Sequence, residues 1–124
     1  MQVTSETFAV DALAAARLTR LLHQDKIGAP ARATIIRLAY RGRLADPWKQ
    51  LGDDPEVWAA LDPRPPFWAE MLRCRWCVSV WAGGLVAALR WAVPAVWSPV
   101  ARALAASQIA GMAGAVDDRM AADR

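Results

Sequence analysis

Residues 77–116 read CVSVWAGGLVAALRWAVPAVWSPVARALAASQIAGMAGAV, and only two arginines among them carry a charge. The apolar runs 78–93 and 100–116 are each a few residues shorter than the roughly twenty that a helix needs to cross a bilayer. Two prolines and a serine between residues 94 and 99 interrupt the apolar pattern. The sequence therefore predicts an all-α chain that ends in an apolar helical hairpin, with its turn at residues 94–99.

Aromatic and basic residues lie where a bilayer interface would favour them. Tryptophan prefers the headgroup layer, because its ring can be half buried while its N–H stays wet. Four interfacial tryptophans are expected near the ends of the first apolar helix: Trp76, Trp81, Trp91 and Trp97. Arg90 and Arg102 flank the predicted turn, and their long side chains can extend to the far interface.

Small residues recur at every fourth position of the second apolar run. Such stripes let two helices approach closely, which is how helices associate in lipid. The residues expected to pack the two helices are Gly83, Ala87, Ser107, Gly111 and Gly114. An alanine-rich hairpin buried inside a protein assembly would show the same pattern, so this alternative stays open.

The composition divides the chain into parts that suit different surroundings. Hydrophobic residues make up 56% of the 124 residues, which is more than a typical globular domain in water contains. Most charged residues precede residue 77, and the formal net charge is +3. The basic residues are mostly arginines, which suit the phosphates of lipids or nucleic acid, but the seven tryptophans favour lipid. We therefore expect a lipid bilayer as partner and no nucleic acid.

The N-terminal part is predicted to form amphipathic helices. Thr4 or Ser5 can cap a first helix that runs to His23. Its apolar face consists of Phe8, Ala14, Ala15, Leu18, Leu21 and Leu22. Arg17 and Arg20 share the opposite face, where they could contact lipid headgroups or simply lie in solvent.

A second basic helix and a turn-rich connector follow. Pro30 suits the first turn of a helix that ends near Gly42, and Asp54 can cap a short helix over Pro55–Leu61. We interpret the chain as one domain, 1–124, in four parts: 1–44 basic amphipathic helices, 45–73 a Trp- and Pro-rich connector, 74–116 the apolar hairpin and 117–124 a polar tail.

Cys74 and Cys77 form a C-x-x-C pair before the first apolar helix. Such a pair can be a redox dithiol, half of a zinc site or two structural thiols. No strand is predicted upstream, which argues against a thioredoxin-like motif. Zinc would need His23, a carboxylate such as Asp25 or Glu70, or a second chain. We expect a structural thiol pair, no metal and no cofactor.

No catalytic site is predicted. The sequence has no phosphate loop and no zinc-protease motif, and its single histidine has no partner at catalytic spacing. Asp11 lies on the apolar face of the first helix, where an unpaired charge would be costly. We therefore expect Asp11 to pair with an arginine rather than to act as a catalytic group.

Several short motifs together resemble a known family. They are Arg17-Leu18-Thr19-Arg20-Leu21, then Asp25, Ile27, Pro30 and Arg32, then Cys74, Cys77, Ser79 and Trp81 before an apolar helix. This order resembles a family of small uncharacterised proteins of Gram-positive bacteria and their phages, catalogued as a domain of unknown function. Members look like small membrane proteins, so the resemblance implies a membrane protein of phage or prophage origin. It implies no reaction.

Two functions are compatible with these features, and neither is enzymatic. The first is a small integral protein of the bacterial inner (cytoplasmic) membrane, which acts by bilayer insertion and helix self-association as a homo-oligomer. The second is a structural protein of a phage particle, in which the apolar hairpin is buried against other virion subunits.

Overall fold

The computed structural model describes residues 4–41 and 52–123, and within these ranges it is all-helical, with no strand. The predicted all-α class is confirmed. The elements are α1 Ser5–His23, a 3-10 turn Lys26–Gly28, α2 Ala29–Ala39, α3 Pro55–Leu61, α4 Phe67–Arg73, α5 Arg75–Ala92 and α6 Pro94–Ala122. The predictions that concern Gly42 and the first part of the connector lie outside the described residues.

Local capping signals set the starts of α1 and α3. The side-chain oxygen of Thr4 accepts a hydrogen bond from the backbone N–H of Thr7 at 3.3 Å, so Thr4 is the cap of α1. The Asp54 carboxylate accepts from the backbone N–H of Glu56 at 3.0 Å, and Pro55 occupies the first turn. The predicted cap and bounds of the short helix Pro55–Leu61 are therefore confirmed.

The helix boundary in the apolar region differs from the prediction. Only Val93 separates α5 from α6, and residues 94–99 are helical. The prediction of a turn at 94–99 is wrong, because Pro94 occupies the first position of α6, where a missing N–H costs nothing. Pro99 removes one N–H donor from the second turn but leaves α6 unbroken. The polar segment from residue 117 continues α6 as far as Ala122.

Contacts along the chain define two compact units. The central unit is Arg20–Val78, and the terminal unit combines Met1–Thr19 with Ser79–Arg124. The boundaries fall within α1 and α5.

The central unit has an aromatic core between α2, α3 and α4. The buried residues of this core are Ile36, Tyr40, Trp58, Ala59, Ala69, Leu72 and Val78. The rings of Tyr40 and Trp58 meet edge to face, with centroids 6.1 Å apart. Both polar ends are satisfied, since Tyr40 Oη donates to the Asp62 carboxylate at 2.9 Å and Trp58 Nε1 donates to the Gly52 carbonyl at 2.8 Å.

The terminal unit has a smaller core. Ala14 of α1, Val86 of α5, and Trp97 and Ala101 of α6 are buried together. Partly buried residues complete the cluster: Val10, Ala15, Leu18, Leu89 and Leu104. All the buried residues of α6 lie in its first twelve positions, so the rest of this 29-residue helix adds nothing to the core.

Candidate functional site

A polar cluster joins the three helices of the terminal unit. The guanidinium of Arg90 donates to both carboxylate oxygens of Asp11, from Nε at 2.9 Å and from Nη2 at 2.7 Å. A third Arg90 nitrogen, Nη1, donates to the Ser98 hydroxyl at 2.8 Å. Trp97 Nε1 also donates to Asp11, at 3.0 Å. The prediction that Asp11 pairs with an arginine is confirmed.

The electrostatics of this cluster stabilise the ionised carboxylate. Hydrogen bonds from Arg90, followed by the hydrogen bond from Trp97, lower the pKa of Asp11 below 3.8, although partial burial opposes the shift. The carboxylate accepts three hydrogen bonds and stays charged at neutral pH. Asp11 therefore links α1 to α5 and α6 through its hydrogen bonds. A carboxylate with a lowered pKa is a poor general base.

Trp97 lies in a different environment from the one predicted. Its side chain is 5% exposed and packs with Val86 and Ala101, while its indole N–H donates a hydrogen bond to Asp11. The prediction of an interfacial Trp97 is wrong, because this residue lies on the inner face of α6. By contrast, Trp76 and Trp91 are each 82% exposed and Trp81 is 57% exposed.

Two of the small residues predicted to pack α5 against α6, Gly83 and Ala87, lie beside α1 instead. Gly83 and Ala87 of α5 line a cleft of about 330 Å³ together with the α1 residues Ala12 and Ala15. A side-chain carbon at Gly83 would meet no atom within 4 Å, so no helix packs closely there. The predicted α5–α6 packing at these glycines is thus not formed within the chain, since small side chains on both α1 and α5 leave this space open.

The second half of α6 is exposed on all sides. Ser107, Gly111 and Gly114 lie on this exposed surface, and a side-chain carbon at Gly114 would also meet no atom within 4 Å. Close packing at these three residues could be made only with another molecule. Their role in association between copies stays a prediction.

Exposed apolar side chains cover the remainder of α5 and α6. The large hydrophobic residues that are exposed on the two helices are Trp76, Val80, Trp81, Leu85, Trp91, Val96, Val100, Ile109, Met112, Val116 and Met120. Surfaces of this extent on a soluble monomer normally mark contacts with a partner or a membrane. This apolar surface is a candidate site of contact with lipid or with another protein.

The predicted headgroup-binding arginines differ in their surroundings. Arg20 is exposed and forms an ion pair with Asp25 at 3.5 Å. Arg17 is half buried and interacts with another group of the chain. Neither arginine contacts a ligand-sized cavity among those described, and their headgroup role stays a prediction.

The structural role of Arg32 is not predicted by the sequence pattern. Its Nε donates to the Glu56 carboxylate at 2.8 Å, and its Nη1 donates to the Asp25 carbonyl at 2.9 Å. Arg32 thereby ties the end of α1 to the start of α3. The buried Gly28 is part of this junction, because a side-chain carbon there would overlap the Leu21 carbonyl oxygen. The sequence shows the order Asp25, Pro30, Arg32, but it gives no signal for the hydrogen bonds that Arg32 makes.

Cys74 and Cys77 are both free thiols at the start of α5. Cys74 is half buried and Cys77 is exposed. The Cys77 backbone N–H donates to Cys74 Sγ at 3.4 Å, so the sulfur occupies the capping position of the helix. No cluster of three or more His, Cys, Asp or Glu side chains that could hold a metal occurs in the described ranges.

None of the helices in residues 4–41 and 52–123 is by itself both long and apolar enough to cross a membrane. The pair α4 and α5 meets the length and composition requirement together, with a bend of 98° at their junction.

These features define a small all-helical protein with two separate cores and a large exposed apolar surface. Residues 10–116 match the family model described as "Protein of unknown function (DUF1360)", and the chain belongs to this family. Comparison with curated proteins and with solved structures found no match.

Proposed function

We propose that this chain is a small, non-enzymatic integral membrane protein of the bacterial inner (cytoplasmic) membrane. It inserts α5 and α6 into the bilayer and associates there with further copies. The observation that supports this function best is the exposed apolar surface of these two helices, where Val80 is 73% exposed and Val96 is 67% exposed. In water this surface would favour aggregation, whereas lipid tails would cover it.

The charges of the apolar segment are compatible with insertion. The Arg90 charge is neutralised by Asp11 through two hydrogen bonds, so α5 presents no unpaired charge at that point. Exposed Trp76 and Trp91 lie near the two ends of α5, about 22 Å apart at the usual helical rise. Such a pair suits two interfaces of a locally thinned bilayer.

Helix length makes association part of this proposal. The 18 residues of α5 span about 27 Å, slightly less than the roughly 30 Å hydrocarbon core. A short helix is accommodated by thinning of the bilayer or by oligomerisation. The exposed small residues Ser107, Gly111 and Gly114 offer a surface on which α6 of another copy could pack closely.

A phage or prophage origin is part of the same proposal. It rests on the resemblance of the R-L-T-R-L and C-x-x-C-x-S-x-W motifs to proteins of Gram-positive bacteria and their phages. The predicted topology places both termini on the cytoplasmic side, because the arginines precede the apolar segment and short basic flanks stay inside.

Vesicle flotation with matched variants tests the insertion. Val80→Asp places a carboxylate on the exposed face of α5, where insertion would cost about 3 kcal/mol more. Leu38→Asp is the control, since Leu38 is 51% exposed but lies on α2 of the central unit. The parent and Leu38→Asp should float with anionic phospholipid vesicles and resist carbonate, whereas Val80→Asp should shift to the unbound fraction. Equal flotation of the two variants would refute insertion through α5.

A structural protein of the virion is the second candidate. The exposure of α6 on all sides over residues 109–116 supports it, because this small and apolar stretch can be enclosed by several neighbouring subunits. Gradient-purified phage particles that contain the chain, together with its extraction from membranes by carbonate, would favour this function over the first.

A further inference from the structure

The thiols of Cys74 and Cys77 are placed in a way that packing does not explain. Neither side chain is among the buried residues of the central core, and Cys77 is exposed. Cys74 nevertheless directly precedes the 18-residue helix α5 and Cys77 lies in its first turn, where the backbone N–H groups lack helical partners. A pair of structural thiols would be expected to be buried instead.

The local geometry distinguishes the two sulfurs. Cys74 has an extended backbone, with φ −95° and ψ 105°, and directly precedes α5. Its sulfur accepts the N–H of Cys77 at 3.4 Å. The two sulfurs therefore differ in their surroundings, since Cys74 is half buried at the start of α5 and Cys77 is exposed.

The charge environment favours the thiolate form at Cys74. The hydrogen bond from the Cys77 thiol, with smaller contributions from the backbone N–H groups of Cys77 and Trp76, lowers the pKa of Cys74. The same hydrogen bond raises the pKa of Cys77, since that thiol is the donor. The Glu70 carboxylate opposes ionisation of both thiols but is the weakest influence on Cys74.

We propose that Cys74 and Cys77 are a redox-active dithiol that exchanges with disulfides of the glutathione class, with Cys74 as the attacking sulfur. This inference is independent of the proposed membrane function.

The exchange has two balanced steps. The Cys74 thiolate attacks one sulfur of glutathione disulfide and forms a mixed disulfide between Cys74 and one glutathione. The S–S bond of glutathione disulfide breaks in this step, and the departing glutathione thiolate takes up a proton. Cys77 then loses its proton and attacks Cys74 Sγ, which forms the Cys74–Cys77 disulfide and releases the second glutathione. Two electrons and two protons pass from the protein to the glutathione disulfide.

The test uses the full chain in detergent micelles, with oxidised glutathione as the probe and mass spectrometry as the readout. The parent should lose two hydrogens by forming the internal disulfide. Cys77→Ser should accumulate one glutathione on Cys74, because the resolving sulfur is absent. Cys74→Ser, the matched control, should be modified several-fold more slowly at neutral pH, since the sulfur that accepts a backbone N–H at the start of α5 is then absent.

Two outcomes would overturn the proposal. One is a parent protein that stays reduced in excess oxidised glutathione. The other is equal glutathione addition to the two single variants, or addition to Cys77→Ser that is no faster when the protein is folded than when it is unfolded in guanidinium. Vesicle flotation of the Cys74→Ser/Cys77→Ser double variant should match that of the parent, which separates this test from that of the membrane function.

Discussion

The central and terminal units bury side chains of different size. In the central unit the core includes the rings of Tyr40 and Trp58, whose polar ends are hydrogen-bonded to Asp62 and Gly52. Other aromatic side chains of this unit, such as Phe67 and Trp76, are exposed. In the terminal unit the buried positions are mostly alanine, valine and a single tryptophan. Its large apolar side chains, including Val80 and Ile109, are instead exposed.

The two cores differ in how much they can contribute to the stability of their units. A core that contains aromatic rings removes more apolar area from water per buried residue than a core of small residues does. We therefore expect the Asp11–Arg90 ion pair to contribute a larger share of the stability of the terminal unit.

The largest effect is expected from Arg90→Ala, which leaves the partly buried Asp11 carboxylate without its counter-ion. Only the Trp97 N–H among its described donors would remain. Breaking such a pair should cost about 2 kcal/mol, less than for a fully buried pair because Asp11 is 20% exposed. Hydrogen exchange should show the loss in α5 and α6, while the α2 amides stay protected.

Arg102→Ala is the matched control, since Arg102 is another arginine of the terminal unit and its side chain is exposed. Its effect should stay within about 0.5 kcal/mol. Equal losses of protection in the two variants would show that the Asp11–Arg90 pair makes no specific contribution to stability. Other contacts would then have to stabilise the terminal unit.

Glycine-to-alanine substitutions should have opposite signs in the two units. Gly28→Ala pushes a methyl group onto the Leu21 carbonyl oxygen and should destabilise the central unit by about 2 kcal/mol. Gly84→Ala adds the same methyl to α5, where no atom lies within 4 Å, and should stabilise the helix by about 0.5 kcal/mol. Guanidinium unfolding followed by tryptophan fluorescence measures both changes. A loss of stability in Gly84→Ala would contradict this prediction, because it would require another part of the protein to pack against α5 at Gly84.

Acid should weaken the Asp11–Arg90 pair of the terminal unit. The pKa of Asp11 is lower in the folded state than its ordinary value of 3.8, so its contribution is complete above that value. The contribution is lost as the pH falls through 3.8 toward the folded pKa. In Asp11→Asn this part of the acid dependence should disappear, as followed by unfolding midpoints between neutral pH and pH of about 3. An unchanged pH profile in that variant would assign the acid sensitivity to other carboxylates.

Local signals in the sequence predicted the parts of the fold that depend on neighbouring residues. The Asp54-Pro55 pair defined α3, and Thr4 defined the start of α1, because a cap needs only the residues of one turn. That Asp11 must find a cation also followed from the cost of a bare charge on an apolar face. The identity of the cation did not, since Arg90 is 79 residues away.

The predictions that failed depend on which face of a helix is buried. A proline such as Pro94 can interrupt an apolar run or occupy the first position of a helix, and the sequence does not distinguish the two uses. Trp97 was assigned to an interface from the average preference of tryptophan. Its burial is decided by the α1 and α5 side chains around it, and by Asp11, which accepts its N–H.

The smallest effect on stability, and the sharpest test of what covers the terminal unit, is expected from Gly111→Leu. Gly111 is exposed, so a leucine there should change the unfolding free energy by less than about 0.5 kcal/mol. If copies associate through the small residues of α6, the larger side chain would separate their backbones and weaken association. Crosslinking in vesicles and sedimentation in detergent measure this. Leu85→Ile is the control, because it conserves volume on the exposed surface of α5 and should leave association unchanged. A Gly111→Leu protein that associates as well as the parent would show that α6 does not pack closely at Gly111, and the exposed apolar surface would then be covered by lipid or by a different protein.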